Sequence, residues 1–123
     1  MPGELRQLCV LVVDDDEALA GGLAWALSEK GLRVAVVTRG QAVPEMIPAI
    51  RPDALVLDIS LPDLNGITVA RVVRARWPAL PIIFTTRHDN EGETRRALSL
   101  PRTLMMRKPF DTETLVAAIR SVL

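Results

Sequence analysis

Acids, a lysine and a hydroxyl stand where short apolar runs stop. Cys9-Val10-Leu11-Val12-Val13 leads into Asp14-Asp15-Asp16, Ala54-Leu55-Val56-Leu57 ends on Asp58, Pro81-Ile82-Ile83-Phe84 leads into Thr85-Thr86, and Lys108 closely follows Thr103–Met106. Several carboxylates in one crevice repel one another, which raises their pKa values unless a cation keeps them ionised. Oxygen ligands from Asp14, Asp15 and Asp58, with a backbone carbonyl, suit magnesium, a hard ion that keeps waters and completes its shell with a phosphate. No His or Cys cluster competes, since the chain has one of each. A metal, Lys108 and the Thr86 hydroxyl together can bind three oxygens of a transferring phosphoryl group, with Asp58 as nucleophile.

The elements that must position these groups alternate. The run into Asp58, followed by Pro62 and Gly66, reads as a buried strand and turn. A strand at Cys9–Val13 precedes a helix capped by Asp16 or Asp15, with Leu19, Leu23, Ala26 and Leu27 on one stripe, weakened by Gly21 and Gly22 and ended by Gly31. Leu32–Val37 is the second strand, and Gln41–Ile50 a short helix that tolerates Pro44 only in its first turn and is made irregular by Pro48. A helix from about Asn65 to Arg76 follows, with Ile67, Val69, Ala70, Val72 and Val73 as its apolar side. After the strand ending at Thr85-Thr86 come a weak helix over Glu91–Leu100, a short strand over Thr103–Met106 and a helix over Asp111–Leu123. This pattern predicts one α/β domain over 1–123, a doubly wound five-stranded parallel sheet with five helices, whose strand-end polar groups converge on one crevice.

Composition narrows the function classes. At 123 residues and 49% hydrophobic content, the chain fits a single domain with a real core. No apolar run approaches the roughly 18 residues that cross a bilayer, and no leader pattern opens the chain, so a cytoplasmic protein without membrane contact is expected. Cys9 alone cannot form an internal disulfide. Aromatic residues at 3% leave little for bases to stack on, which argues against direct nucleic-acid binding. Net charge is zero, but residues 1–58 carry nine acids and five bases and residues 59–123 six acids and ten bases. The later arginines read chiefly as a solvated face.

Asp14-Asp15, Asp58 with Pro62 and Gly66 four and eight residues later, Thr86 after an apolar strand, and Lys108-Pro109-Phe110 together resemble the receiver domain of two-component response regulators, over essentially the whole chain. The resemblance implies a flavodoxin-like sheet of order 2-1-3-4-5. It implies that Asp58 accepts a phosphoryl group from the phosphohistidine of a sensor histidine kinase or histidine phosphotransfer protein. Asp15, Asp58 and the Ser60 carbonyl would bind Mg2+, with Asp14 acting through water. Thr86 and Lys108 would each bind a phosphoryl oxygen, and the Lys108–Pro109 bond would be cis. Such a chain is no enzyme beyond its own phosphorylation and dephosphorylation. Its switch, Thr86 with Met105, would remodel the face of the fourth helix, fifth strand and fifth helix, a surface also open to homodimerisation.

Two positions depart from the family pattern. Met105 stands where Tyr or Phe is usual, which softens the switch, and Arg87 stands where a small residue is usual, which partly covers the pocket mouth. Arg87 has the reach to pair with phosphoryl oxygens or with Asp58. His88, beside it, reads as a loop residue within reach of that mouth. Asp63 and Asn65 read as turn and cap residues, Gly66 as a backbone requirement, Thr85 as packing, and Trp25 and Trp77, off the main apolar stripes, as surface or interface residues. A haloacid-dehalogenase-type phosphatase needs a second acid two residues after its nucleophile, where Ser60 stands. A phosphorylation-independent interaction module would be expected to lose an acid or the lysine, and none is lost.

Overall fold

Short apolar runs alternating with amphipathic ones build a parallel sheet in the computed structural model, which describes residues 7–88 and 90–123. The strands are β1 Cys9–Val13, β2 Arg33–Val37, β3 Ala54–Asp58, β4 Ile82–Thr86 and β5 Thr103–Arg107. They pair in the order β2-β1-β3-β4-β5, all parallel. The helices are α1 Glu17–Glu29, α2 Val43–Ile50, α3 Gly66–Arg76, α4 Glu91–Leu98 and α5 Thr112–Val122. The start of the expected domain, residues 1–6, lies outside the described residues.

Two cores flank the sheet because side chains alternate between its faces. Leu11, Leu55, Leu57, Ile82 and Phe84 pack with α2, α3 and α4, while Val10, Val12, Val56 and Ile83 pack with α1 and α5. β1, β3 and β4 are buried throughout, as expected of parallel strands covered on both faces. Among the described residues no helix is long and apolar enough to cross a membrane.

Caps fix the helix starts near the strand ends. Side chains of Asp16, Asn65, Asn90 and Asp111 accept hydrogen bonds from Leu19, Ile67, Glu93 and Thr114 N–H groups at 3.0, 2.8, 3.0 and 2.7 Å. Gly31 closes α1 at φ 91°, where a side chain is strained. Gly66 answers to space instead. Its N–H donates to the Ile59 carbonyl at 2.7 Å, and a Cβ there would run into the Asp58 carbonyl and lie 2.7 Å from Ile59 Cα. The start of α3 is thereby pressed against the end of β3.

Several sequence expectations need correction. The second helix starts at Val43 rather than Gln41, because Gly40–Ala42 forms a 3-10 turn whose Gly40 and Gln41 N–H groups bond the Asp63 carboxylate, both at 2.9 Å. Leu19 and Val72, expected on buried stripes, are 41% and 46% exposed. Ala20 is buried in α1 instead. Trp77, expected at the surface, packs against the larger core and carries the Arg76 guanidinium 4.5 Å over its ring, whereas Trp25 is exposed.

Candidate functional site

The carboxyl-terminal edge of the sheet collects the acids. Asp14 follows β1 with its N–H bonded to the Val37 carbonyl, and Asp58 ends β3. Lys108 follows β5, its N–H donating to the Thr86 carbonyl at 2.7 Å, and the Lys108–Pro109 peptide is cis. The Lys108 ammonium, on a side chain 8% exposed, donates to Asp14 Oδ2 at 2.7 Å and to Asp58 Oδ2 at 3.0 Å. The remaining oxygens are held too. Asp16 N–H donates to Asp14 Oδ1 at 2.9 Å, and Ser60 N–H to Asp58 Oδ1 at 3.0 Å.

Asp14, Asp15 and Asp58 each place a carboxylate oxygen within 4.8 Å of the others, Asp15 exposed and the other two buried. This all-oxygen, triply acidic donor set fits a hard divalent cation. Burial pushes the Asp58 carboxyl above its ordinary value, and nearby Asp14 adds to the push. The Ser60 N–H bond and Lys108 pull it back without cancelling the effect. Three carboxylates here meet one ammonium, so the site is short of positive charge even with Lys108 in place.

Thr86, at the end of β4, is 6% exposed and turned onto its own loop. Its hydroxyl donates to the His88 carbonyl at 3.0 Å and accepts from the His88 N–H at 3.1 Å. Asp15, Asp16, Asp58, Ser60, Arg87 and His88 line an open crevice of about 450 Å³ over the acids. Arg87 does not reach Asp58 by a hydrogen bond or ion pair as the sequence reading allowed. Its Nη2 pairs with Asp16 Oδ2 at 3.3 Å, and the side chains are 60% and 41% exposed. Asp16, one of the two candidate caps, has a second contact as well: Oδ1 caps α1 and Oδ2 tethers Arg87 across the crevice. Met105 is half-buried against the larger core, opposite Phe84 in the β4–β5 register.

Sequence reasoning overlooked Arg74, buried on α3. The signal was present. Arg74 follows Ile67 and Ala70 at seven and four residues, on the stripe that faces the core.

Residues 10–120 match the family model of the response regulator receiver domain. The chain is 40% identical over 114 residues to the response regulator MprA of Mycobacterium ulcerans and 39% identical to MprA of Mycobacterium leprae, covering 93% of this chain each time. It spans about half the length of these curated relatives, 49% and 50%. Among solved structures, a CheY-like response regulator receiver domain protein from Methanospirillum hungatei superposes with a TM-score of 0.89 at 21% identity, covering 94% of this chain and 93% of that one. The BeF3-activated N-terminal receiver domain of Klebsiella pneumoniae RstA gives 0.85 at 28% identity, covering 92% and 96%.

Proposed function

Because the chain belongs to the response regulator receiver domain family, we propose that Asp58 accepts a phosphoryl group from the phosphohistidine of a cytoplasmic kinase or phosphotransfer partner, in a magnesium-dependent step. The observation that carries this reading is the Lys108 ammonium shared between Asp14 and Asp58 within the cluster of three acids.

The chain's own groups divide the work. Ser60 N–H and Lys108 fix the plane of the Asp58 carboxylate, one oxygen of which attacks phosphorus as the phosphorus–nitrogen bond of the donor breaks and its imidazole leaves. Lys108, already 3.0 Å from Asp58 Oδ2, meets the phosphoryl oxygens as charge gathers there. Asp15, Asp58 and the Ser60 carbonyl would hold the metal. Asp14, whose oxygens already accept from Lys108 and the Asp16 N–H, would act through water. When bound, magnesium supplies charge neutralisation to the acids and an electrophilic contact to the phosphoryl oxygens.

Thr86 must release the His88 carbonyl before its hydroxyl can donate to a phosphoryl oxygen. That exchange is the local event of the switch. Its relay to the face of α4, β5 and α5 passes Met105, which fills space in several rotamers where an aromatic ring has a discrete in or out position. With Ser60 and His88 at the two positions that tune acyl-phosphate lifetime in this family, and no acid or amide there to orient water, autodephosphorylation is moderate to slow.

Incubation with acetyl phosphate and magnesium, followed by intact-mass measurement, should add one phosphoryl group per chain, and chelator should prevent it. Repeated turnover of a phosphate ester, without a retained phosphoryl group, would favour a hydrolase instead.

A further inference from the structure

We propose that the cavity between α1 and the Lys108–Thr112 segment is a binding site for a small aromatic monoanion, adjoining the acidic crevice. The cavity measures about 600 Å³, inside the range of about 300–1,000 Å³ typical of small-molecule sites. Val12 of β1 and Val56 of β3 lie in its lining, with Leu19 and Leu23 from α1 and Phe110 from the turn after β5. Asp14 and Lys108 of the acid cluster also line it, and it shares Arg87 with the lining of the acidic crevice.

Three observations point to that ligand class. Gly22 lines the cavity, and a Cβ built on it meets no atom within 4 Å, so α1 leaves open space at that point of the lining. Thr85, 2% exposed, lines the cavity as well, and among the described residues no hydrogen bond engages its hydroxyl. The hydroxyl is not sealed from solvent, so a ligand donor or acceptor can take the place of water on it. The third observation is charge. Lys108 is committed to Asp14 and Asp58, but Arg87 makes a single long bond to Asp16 on an exposed side chain, leaving guanidinium donors for an anion. An apolar ring system thus faces Leu23 and Phe110, a polar atom meets Thr85, and one anionic group meets Arg87.

The probe is 1-anilinonaphthalene-8-sulfonate, titrated by fluorescence against the chain, with uncharged N-phenyl-1-naphthylamine as its neutral counterpart. Saturable binding of one molecule per chain is expected. Gly22→Leu should weaken both probes at least tenfold while raising Tm, because leucine replaces a glycine inside a helix. Loosened packing cannot mimic that result, since it raises dye binding. Thr85→Val should weaken both about fivefold, and Arg87→Gln should weaken the sulfonate alone. The proposal is overturned if Gly22→Leu binds as the wild type does, if Arg87→Gln affects the two probes equally, or if neither probe saturates. The last result would leave the cavity to an apolar side chain of a protein partner.

Discussion

Lys108 and Arg74 are both buried cations, and they stand at opposite edges of the sheet. Lys108, just past β5, is held by two carboxylates at 2.7 and 3.0 Å. Arg74 is 7% exposed and donates to the carbonyls of Trp77, Leu80 and Arg102 at 2.9, 2.6 and 3.2 Å, just ahead of β4 and β5. Among the described residues its Nε has no partner and no carboxylate pairs with it. Burial lowers its pKa, with Arg102 adding to the effect, yet a guanidinium stays charged. Carbonyl acceptors neither titrate nor change partners, so the Arg74 contacts tie α3 to the strand starts at any pH. Carboxylates do both, so Lys108 can pass from them to an incoming phosphoryl group. One cation serves architecture, and the proposed function gives the other a part in chemistry.

The largest expected effect on stability therefore lies far from the chemistry. Arg74→Met removes three charge-assisted bonds and leaves the Leu80 carbonyl without its side-chain partner. It should cost about 2–3 kcal/mol and lower Tm by roughly 10 °C, with the extent of Asp58 phosphorylation unchanged below the transition. Thermal unfolding checks the first part and intact mass the second. Normal Tm with impaired phosphorylation would break the comparison.

Lys108→Gln should cost less, because water entering the open crevice and protonation of Asp58 both relieve the acids it leaves behind, and its cost should depend on pH. The folded-state pKa of Asp58 is raised above 3.8, so its contribution to stability is present below pH 3.8 and lost as pH rises through the raised value. Removing the lysine enlarges that loss at neutral pH and changes little once Asp58 is protonated. The Lys108→Gln deficit should shrink on acidification toward pH 4, whereas the Arg74→Met deficit should not. For the same reason Asp58→Asn should stabilise the metal-free domain at pH 7 and lose its advantage at low pH. Parallel pH profiles for the two cation variants would show that both are merely structural.

These contrasts mark what the sequence could and could not disclose. Five strands followed from short apolar runs broken by turn residues and their order from the family resemblance, and the acids were legible because each stood where such a run stopped. Asp63 read correctly as a turn residue, but its hold on Gly40 and Gln41, more than twenty residues away, is a tertiary contact that no local pattern encodes. Arg87 illustrates the same limit. Its reach was evident, while the choice of Asp16 over Asp58 depended on how two loops meet. Thr86 was found by position alone, and its closed hydroxyl pair with His88 was invisible until the backbone turned.

The smallest expected effect sits at the crevice mouth. The exposed Arg87–Asp16 pair should contribute little to stability, so Arg87→Ala should leave Tm unchanged. It should raise the initial rate of phosphorylation by acetyl phosphate a few-fold by opening the mouth, which a stopped-time mass assay resolves. A slower rate would instead give Arg87 a direct part in transfer. Met105→Tyr should enlarge the amide-shift response of α4, β5 and α5 to a phosphoryl mimic, and an unchanged response would remove Met105 from the switch.

The central claim is that the acyl phosphate forms on Asp58 and nowhere else. Borohydride reduces an aspartyl phosphate to homoserine, so the chain should be phosphorylated with magnesium present, reduced, digested and sequenced by mass spectrometry. Homoserine at position 58 alone, absent in chelator and in the control Asp58→Asn, is the predicted result. Homoserine at 14 or 15, or phosphoryl label with no homoserine at 58, would contradict it.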